Sequence, residues 1–86
     1  MDLASKDFKN LIGQSVRLRG RRNFAGAIAL IESKLAELEP DCLVNAFLEC
    51  FYAAREAGMK NLATEYARRL AAIDPEIPTV KEFLRK

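Results

Sequence analysis

An arginine cluster is the densest group of side chains in this sequence that could bind a ligand. Its members are Arg17, Arg19, Arg21 and Arg22. Guanidinium groups bind phosphates and carboxylates through paired hydrogen bonds, so the cluster is a candidate clamp for a phosphate or an acidic peptide. It also lies where a helix is expected to end, and the helix dipole stabilises cations there without any ligand. No interleaved aromatic residues and no second dense basic stripe accompany the cluster, which favours the helix-end interpretation. Nucleic-acid or phosphate binding through this basic patch stays the alternative function.

Cys42 and Cys50 are the two thiols of the chain, and there is no histidine. Without histidine there is no Ser-His or Cys-His couple and no imidazole ligand for a metal ion. Helical spacing separates the two cysteines by about 12 Å, which is beyond the reach of a disulfide. We interpret both as reduced thiols, and Cys50, which lies on an apolar stripe, as a small buried residue. The sequence therefore predicts a non-enzymatic protein without catalytic residues, metal or cofactor.

The composition indicates one small domain. The chain has 86 residues, 50% of them apolar and 30% charged, and 14 basic against 12 acidic residues give a net charge of +2. This balance does not by itself favour a polyanionic partner. The first seven residues lack the basic and apolar regions of a signal peptide, and no apolar run approaches the ~20 residues that cross a bilayer. A cytoplasmic protein without membrane contact is expected.

Apolar residues recur at helical spacing, and this pattern predicts an all-α chain of four helices of three to four turns plus a short fifth. The expected breaks between the helices are at Gly20, Pro40, Gly58, Pro75 and Pro78. Gly58 is placed as the glycine that ends the third helix. Thr79 and Glu82 have the spacing of a capping box at the start of the fifth.

Two units of the chain repeat at a spacing of 35 residues, measured between their closing prolines. Segments 34–40 and 69–75 agree in type at Leu35/Leu70, Ala36/Ala71, Leu38/Ile73, Glu39/Asp74 and Pro40/Pro75. This helix–turn–helix period with a closing proline resembles the tetratricopeptide repeat (TPR). In the second unit, Gly58 and Ala63 fit the inter-helix glycine and the small residue of that family. The first unit is degenerate and holds one more residue between Ala27 and its closing proline, so a slip of register is expected there.

The resemblance implies antiparallel helical hairpins stacked as a right-handed superhelix. Repeat one covers about residues 8–40, repeat two about 43–75, and a capping helix about 78–86. Such stacks normally need about three repeats, so this short chain is expected to be completed by a partner or by self-association. Small bacterial TPR-type chaperones of specialised secretion systems are similar in size and character.

The resemblance also implies a concave groove lined by the first helix of each repeat. The implied partner-binding residues are Lys9, Ile12, Val16, Arg19, Asn45, Leu48, Tyr52 and Arg55. Phe47 and Phe51 are expected in the core, with Leu48 and Tyr52 on the opposite side of the same helix as a candidate contact patch. The implied ligand is a helical or extended segment of a partner protein.

The glutamates are interpreted as solvated surface because most lie near Lys or Arg at helical spacing. This group comprises Glu32, Glu37, Glu39, Glu49, Glu56 and Glu65. Together these features predict a TPR-like interaction module, an adaptor or small chaperone, rather than an enzyme or a nucleic-acid-binding protein.

Overall fold

The computed structural model describes residues 5–85, and these residues form helices and turns with no β-strand. The helices are α1 Ser5–Gly20, α2 Phe24–Glu32, a 3₁₀ helix at Leu35–Glu37, α3 Pro40–Glu56, α4 Lys60–Ile73 and α5 Pro78–Arg85. The all-α prediction is confirmed. The second helix differs from expectation because α2 has nine residues, fewer than the three to four turns predicted.

Gly58 ends α3 in the way the sequence predicts. Its φ is +76°, a left-handed conformation that glycine adopts without steric cost. The backbone N–H of Gly58 donates to the carbonyl of Arg55 at 3.1 Å, and that of Met59 donates to the carbonyl of Ala54 at 2.9 Å. This pair of bonds is the Schellman arrangement, which satisfies two carbonyls at the helix end.

The end of α1 has the same hydrogen-bonded turn with an arginine in the glycine position. Gly20, the expected break, is the last helical residue, and Arg22 takes the left-handed conformation at φ +65°. Arg22 N–H donates to the carbonyl of Arg19 at 2.9 Å, and Asn23 N–H donates to that of Leu18 at 2.8 Å. A side chain in this conformation carries a steric cost that glycine avoids.

The second helix stops at Glu32 because serine offers its last turn a local hydrogen bond. The hydroxyl of Ser33 donates to the carbonyl of Leu30 at 2.7 Å, a bond that competes with continued helix. The chain then forms the 3₁₀ helix and becomes extended at Leu38, whose φ and ψ are −83° and 141°.

Two prolines begin helices in this structure. Pro40 is in the first turn of α3 and Pro78 is the first residue of α5, positions that suit a residue without an N–H. The third helix thus begins at Pro40, whereas its repeat equivalent, Pro75, lies in the turn between α4 and α5. The capping-box prediction is wrong, because Thr79 already lies inside α5.

The helices pack mainly against their neighbours in sequence. Each helix from α1 to α4 contacts the next, and α1 also contacts α3. Small residues permit this close packing, and several are fully buried: Ala27, Ala46, Ala54, Ala63 and Ala67. Phe51 is fully buried as predicted, but Phe47 is only half-buried. No helix of the described residues is long and apolar enough to span a membrane.

Candidate functional site

A groove of about 570 Å³, the α1/α3 groove, opens between the first and third helices. Its lining residues are Phe8, Lys9, Ile12, Cys42, Asn45, Leu48, Glu49 and Tyr52. On each helix these positions are mostly three or four residues apart, which places them on one face. The groove thus combines apolar side chains with one cation, one amide and one carboxylate.

The structure brings together most of the residues that the sequence assigned to partner binding. Lys9, Ile12, Asn45, Leu48 and Tyr52 line the α1/α3 groove. Leu48 and Tyr52 are half-buried, so part of each apolar surface is open to solvent. The remaining predicted residues, Val16, Arg19 and Arg55, do not line the groove itself.

Two arginines contact the aromatic ring at one end of the groove. The guanidinium carbon of Arg19 lies 5.5 Å from the centre of the Tyr52 ring, and that of Arg55 lies 5.4 Å from it. Arg55 also lies 5.3 Å from the centre of the Phe51 ring. These distances are within the range of cation–π attraction, which holds the long side chains beside the groove. Val16 is 40% exposed on α1.

Glu49 is largely buried, so its interpretation as a solvated surface residue is wrong. Only 14% of its side chain is exposed, and its Oε2 atom is buried without a hydrogen-bond partner. Arg19 Nη2 lies 3.8 Å from this oxygen, and Arg19 Nη1 lies 3.6 Å from Oε2 of Glu56. Burial raises the pKa of Glu49, the charge of Arg19 opposes this, and the charge of Glu56 adds to it.

Glu49, Phe8 and Cys42 are groove residues that the sequence analysis did not identify. Glu49 lies four residues after Asn45 on α3, and Cys42 lies three residues before it, so both share the face of Asn45. This spacing could have identified both residues from the sequence. The charge of Glu49 favours a solvated position, whereas its helical spacing from Asn45 indicates the groove. Phe8 is 9% exposed and belongs to both the core and the groove wall, so its apolar character alone did not distinguish it.

The two cysteines lie in different environments. Cys50 is fully buried, as predicted, and this burial raises the pKa of its thiol to about 12. Cys42 is half-buried and faces the groove. In the described part of the chain, no group of three or more His, Cys, Asp or Glu side chains could hold a metal ion.

A buried tyrosine connects α4 to the end of α2. The hydroxyl of Tyr66, which is 2% exposed, donates a hydrogen bond to Oε1 of Glu32. Burial and this hydrogen bond both raise the pKa of Tyr66, which keeps the hydroxyl protonated as the donor. Glu32 is exposed, as predicted, yet it also receives a core hydrogen bond.

The arginine cluster does not form one continuous patch. Arg19 turns to Glu49 and Glu56, whereas Arg17, Arg21 and Arg22 are exposed at the end of α1. Among residues 7–85, no carboxylate lies within 4.0 Å of those three. Arg17 and Arg21 border a hollow of about 230 Å³.

A second hollow, of about 430 Å³, lies where α5 meets α3. It is lined by Arg55, Pro78, Thr79, Glu82 and Phe83. Phe83 packs edge-on against Phe51, with ring centres 5.1 Å apart and an interplanar angle of 85°. We call this the α3/α5 hollow.

No family model, curated protein or solved structure matches the chain.

Proposed function

We propose that this protein is a non-enzymatic interaction module, an adaptor or small chaperone, that binds a helical or extended segment of a partner protein in the α1/α3 groove. The observation that carries the proposal is the groove itself, where Ile12, Leu48 and Tyr52 leave apolar surface uncovered. A volume of about 570 Å³ admits several side chains of a partner.

We further propose that the helices stack as TPR-like hairpins. The contacts between consecutive helices, together with the contact between α1 and α3, support this proposal. In such a stack α1 and α3 are first helices of neighbouring repeats and share one concave face. Few repeats leave much apolar surface at the ends, so self-association is compatible with the same scaffold.

Peptide selection tests the proposed function directly. A display library of random peptides of about 16 residues is selected on the wild-type protein, and selected peptides are then measured by fluorescence anisotropy. The double substitution Leu48→Ala/Tyr52→Ala is expected to weaken binding at least tenfold, because it removes two apolar anchors from the groove. Circular dichroism checks that the helices remain folded.

The matched control truncates two exposed apolar residues away from the groove, Met59 and Ile73, which are 37% and 47% exposed. Met59→Ala/Ile73→Ala is expected to leave peptide affinity unchanged. Equal loss in both double variants, or full affinity of Leu48→Ala/Tyr52→Ala, would refute the groove as the binding site.

Nucleic-acid or phosphate binding is the second candidate function. It is favoured by one observation, the three arginines at the end of α1 that have no carboxylate nearby among the described residues. Binding of this kind has a steep salt dependence, because phosphate contacts release counterions. If it is the function, Arg17→Ala/Arg21→Ala/Arg22→Ala abolishes affinity for a DNA or RNA duplex, whereas the Leu48/Tyr52 variant retains it.

A further inference from the structure

The α1/α3 groove and the α3/α5 hollow meet at one contact. Tyr52 lines the groove, Arg55 lines the hollow, and the Arg55 guanidinium lies 5.4 Å from the centre of the Tyr52 ring. Phe83 of α5 borders the hollow and packs against Phe51 of α3. The binding surface therefore extends from α1 across α3 to α5, and Arg55 lies near its middle.

Some charged side chains on this surface have an oppositely charged neighbour, and others do not. Each carboxylate has a guanidinium nearby, since Glu49 and Glu56 share Arg19, and Glu82 has Arg85 at 3.8 Å. The cations at the two ends of the α1/α3 groove differ from these. Within residues 7–85, neither Lys9 nor Arg55 has a carboxylate within 4.0 Å.

The surface offers side-chain contacts to an occupant and no backbone groups for strand pairing. The described chain has no β-strand, so it offers no sheet edge to which an extended peptide could add. A helical segment satisfies its own backbone and needs only side-chain contacts.

Building on the proposed function, we propose that the partner segment is an acidic amphipathic helix. Its apolar side chains enter the α1/α3 groove, and two of its acidic side chains pair with Lys9 and Arg55. The rings of Phe51 and Tyr52 hold the Arg55 guanidinium in place, so little side-chain freedom is lost when a carboxylate binds. The ion pairs fix the direction of the helix, and the apolar contacts supply most of the affinity.

The charge pattern of library peptides tests the proposal. Random peptides of about 16 residues selected on the wild-type protein are expected to carry Asp or Glu on both sides of an apolar stripe with helical spacing. Peptides that depend on Leu48 and Tyr52 but are basic or uncharged would overturn this inference and leave the proposed function intact. Failure to select any peptide that depends on those two residues would overturn both.

A charge exchange provides the sharper form of the test. Arg55→Glu is expected to weaken an acidic peptide about tenfold or more, because like charges then face each other. Changing the facing Glu of the peptide to Arg is expected to restore most of that loss. The matched control is Arg68→Glu, the same charge change at an exposed arginine of α4 that lines neither hollow.

Three results of these experiments would contradict the inference. The first is an equal loss of affinity in the Arg55→Glu and Arg68→Glu variants. The second is the absence of rescue by the peptide with exchanged charge. The third is occupation of the groove by a second copy of the chain, measured without peptide as alkylation of Cys42 that slows as protein concentration rises.

Discussion

Arg22 occupies a backbone conformation that favours glycine, with φ at +65°. The conformation costs a side-chain-bearing residue about 1 kcal/mol, and glycine in the same turn avoids this cost. We expect Arg22→Gly to raise the free energy of unfolding by about 0.5–1 kcal/mol, as measured by urea denaturation. Arg21→Gly is the control, because Arg21 does not have a positive φ and the added chain flexibility destabilises the folded state there. If Arg22→Gly is no more stable than Arg21→Gly, Arg22 does not carry the steric cost of a left-handed backbone conformation.

The burial of Glu49 lowers the free energy of unfolding by an amount that depends on pH. Its folded-state pKa is raised above the ordinary value of 4.5, so the folded protein holds the proton more tightly than the unfolded chain does. The cost is absent below about pH 4.5 and grows as the pH rises through the folded-state pKa. We expect Glu49→Gln to be more stable than wild type at pH 7 and no different near pH 4, because glutamine has no charge for burial to destabilise.

Thermal unfolding at several pH values measures this difference. Glu65→Gln changes an exposed carboxyl group in the middle of α4, and its effect is expected to be small at every pH. A Glu49→Gln variant whose stability relative to wild type does not change with pH would show that the burial of Glu49 has no energetic consequence.

At the scale of elements, α5 is held to the rest of the protein by few apolar contacts. Val80 is buried, and Phe83 packs edge-on against Phe51. Because Phe83 is only half-buried, Phe83→Ala is expected to cost about 2 kcal/mol of unfolding free energy, less than the 3–5 kcal/mol of a fully buried phenylalanine. Leu84→Ala removes a side chain that is 38% exposed and should cost about 0.5 kcal/mol or less. Equal costs in urea denaturation would contradict this packing.

The helices were predictable from sequence where apolar spacing and a turn residue agree. Gly58 marks the end of α3 in both the sequence and the structure. The end of α2 was not predictable in this way, because apolar spacing continues through Leu35 and Leu38 while the hydroxyl of Ser33 stops the helix. The matching segments 34–40 and 69–75 accordingly differ in conformation, because the first contains the short 3₁₀ helix and the second is largely α4.

At the scale of the whole molecule, the candidate site was partly predictable. The resemblance to the TPR implies a groove that contains Ile12, Leu48 and Tyr52, and the structure brings these three residues into one groove. The position of Glu49 depends on how closely α1 approaches α3, which residue type alone does not reveal. The extension of the surface to α5 likewise depends on tertiary packing, through the contact of Phe83 with Phe51.

The chain contains its own reporter of groove occupancy. Cys42 faces the groove and is half-buried, whereas Cys50 is fully buried with a thiol pKa of about 12 and therefore forms almost no reactive thiolate at neutral pH. A thiol reagent should therefore modify Cys42 in the native protein and reach Cys50 only after unfolding.

The rate of Cys42 alkylation by iodoacetamide, with and without a saturating selected peptide, tests most directly whether the partner segment binds in the α1/α3 groove. We predict at least a tenfold slower reaction with peptide for the wild-type protein, because the occupant covers the groove. For Leu48→Ala/Tyr52→Ala at the same peptide concentration, we predict little change. An unchanged rate in wild-type protein that anisotropy shows to be fully bound would contradict the account, because the peptide would then bind elsewhere.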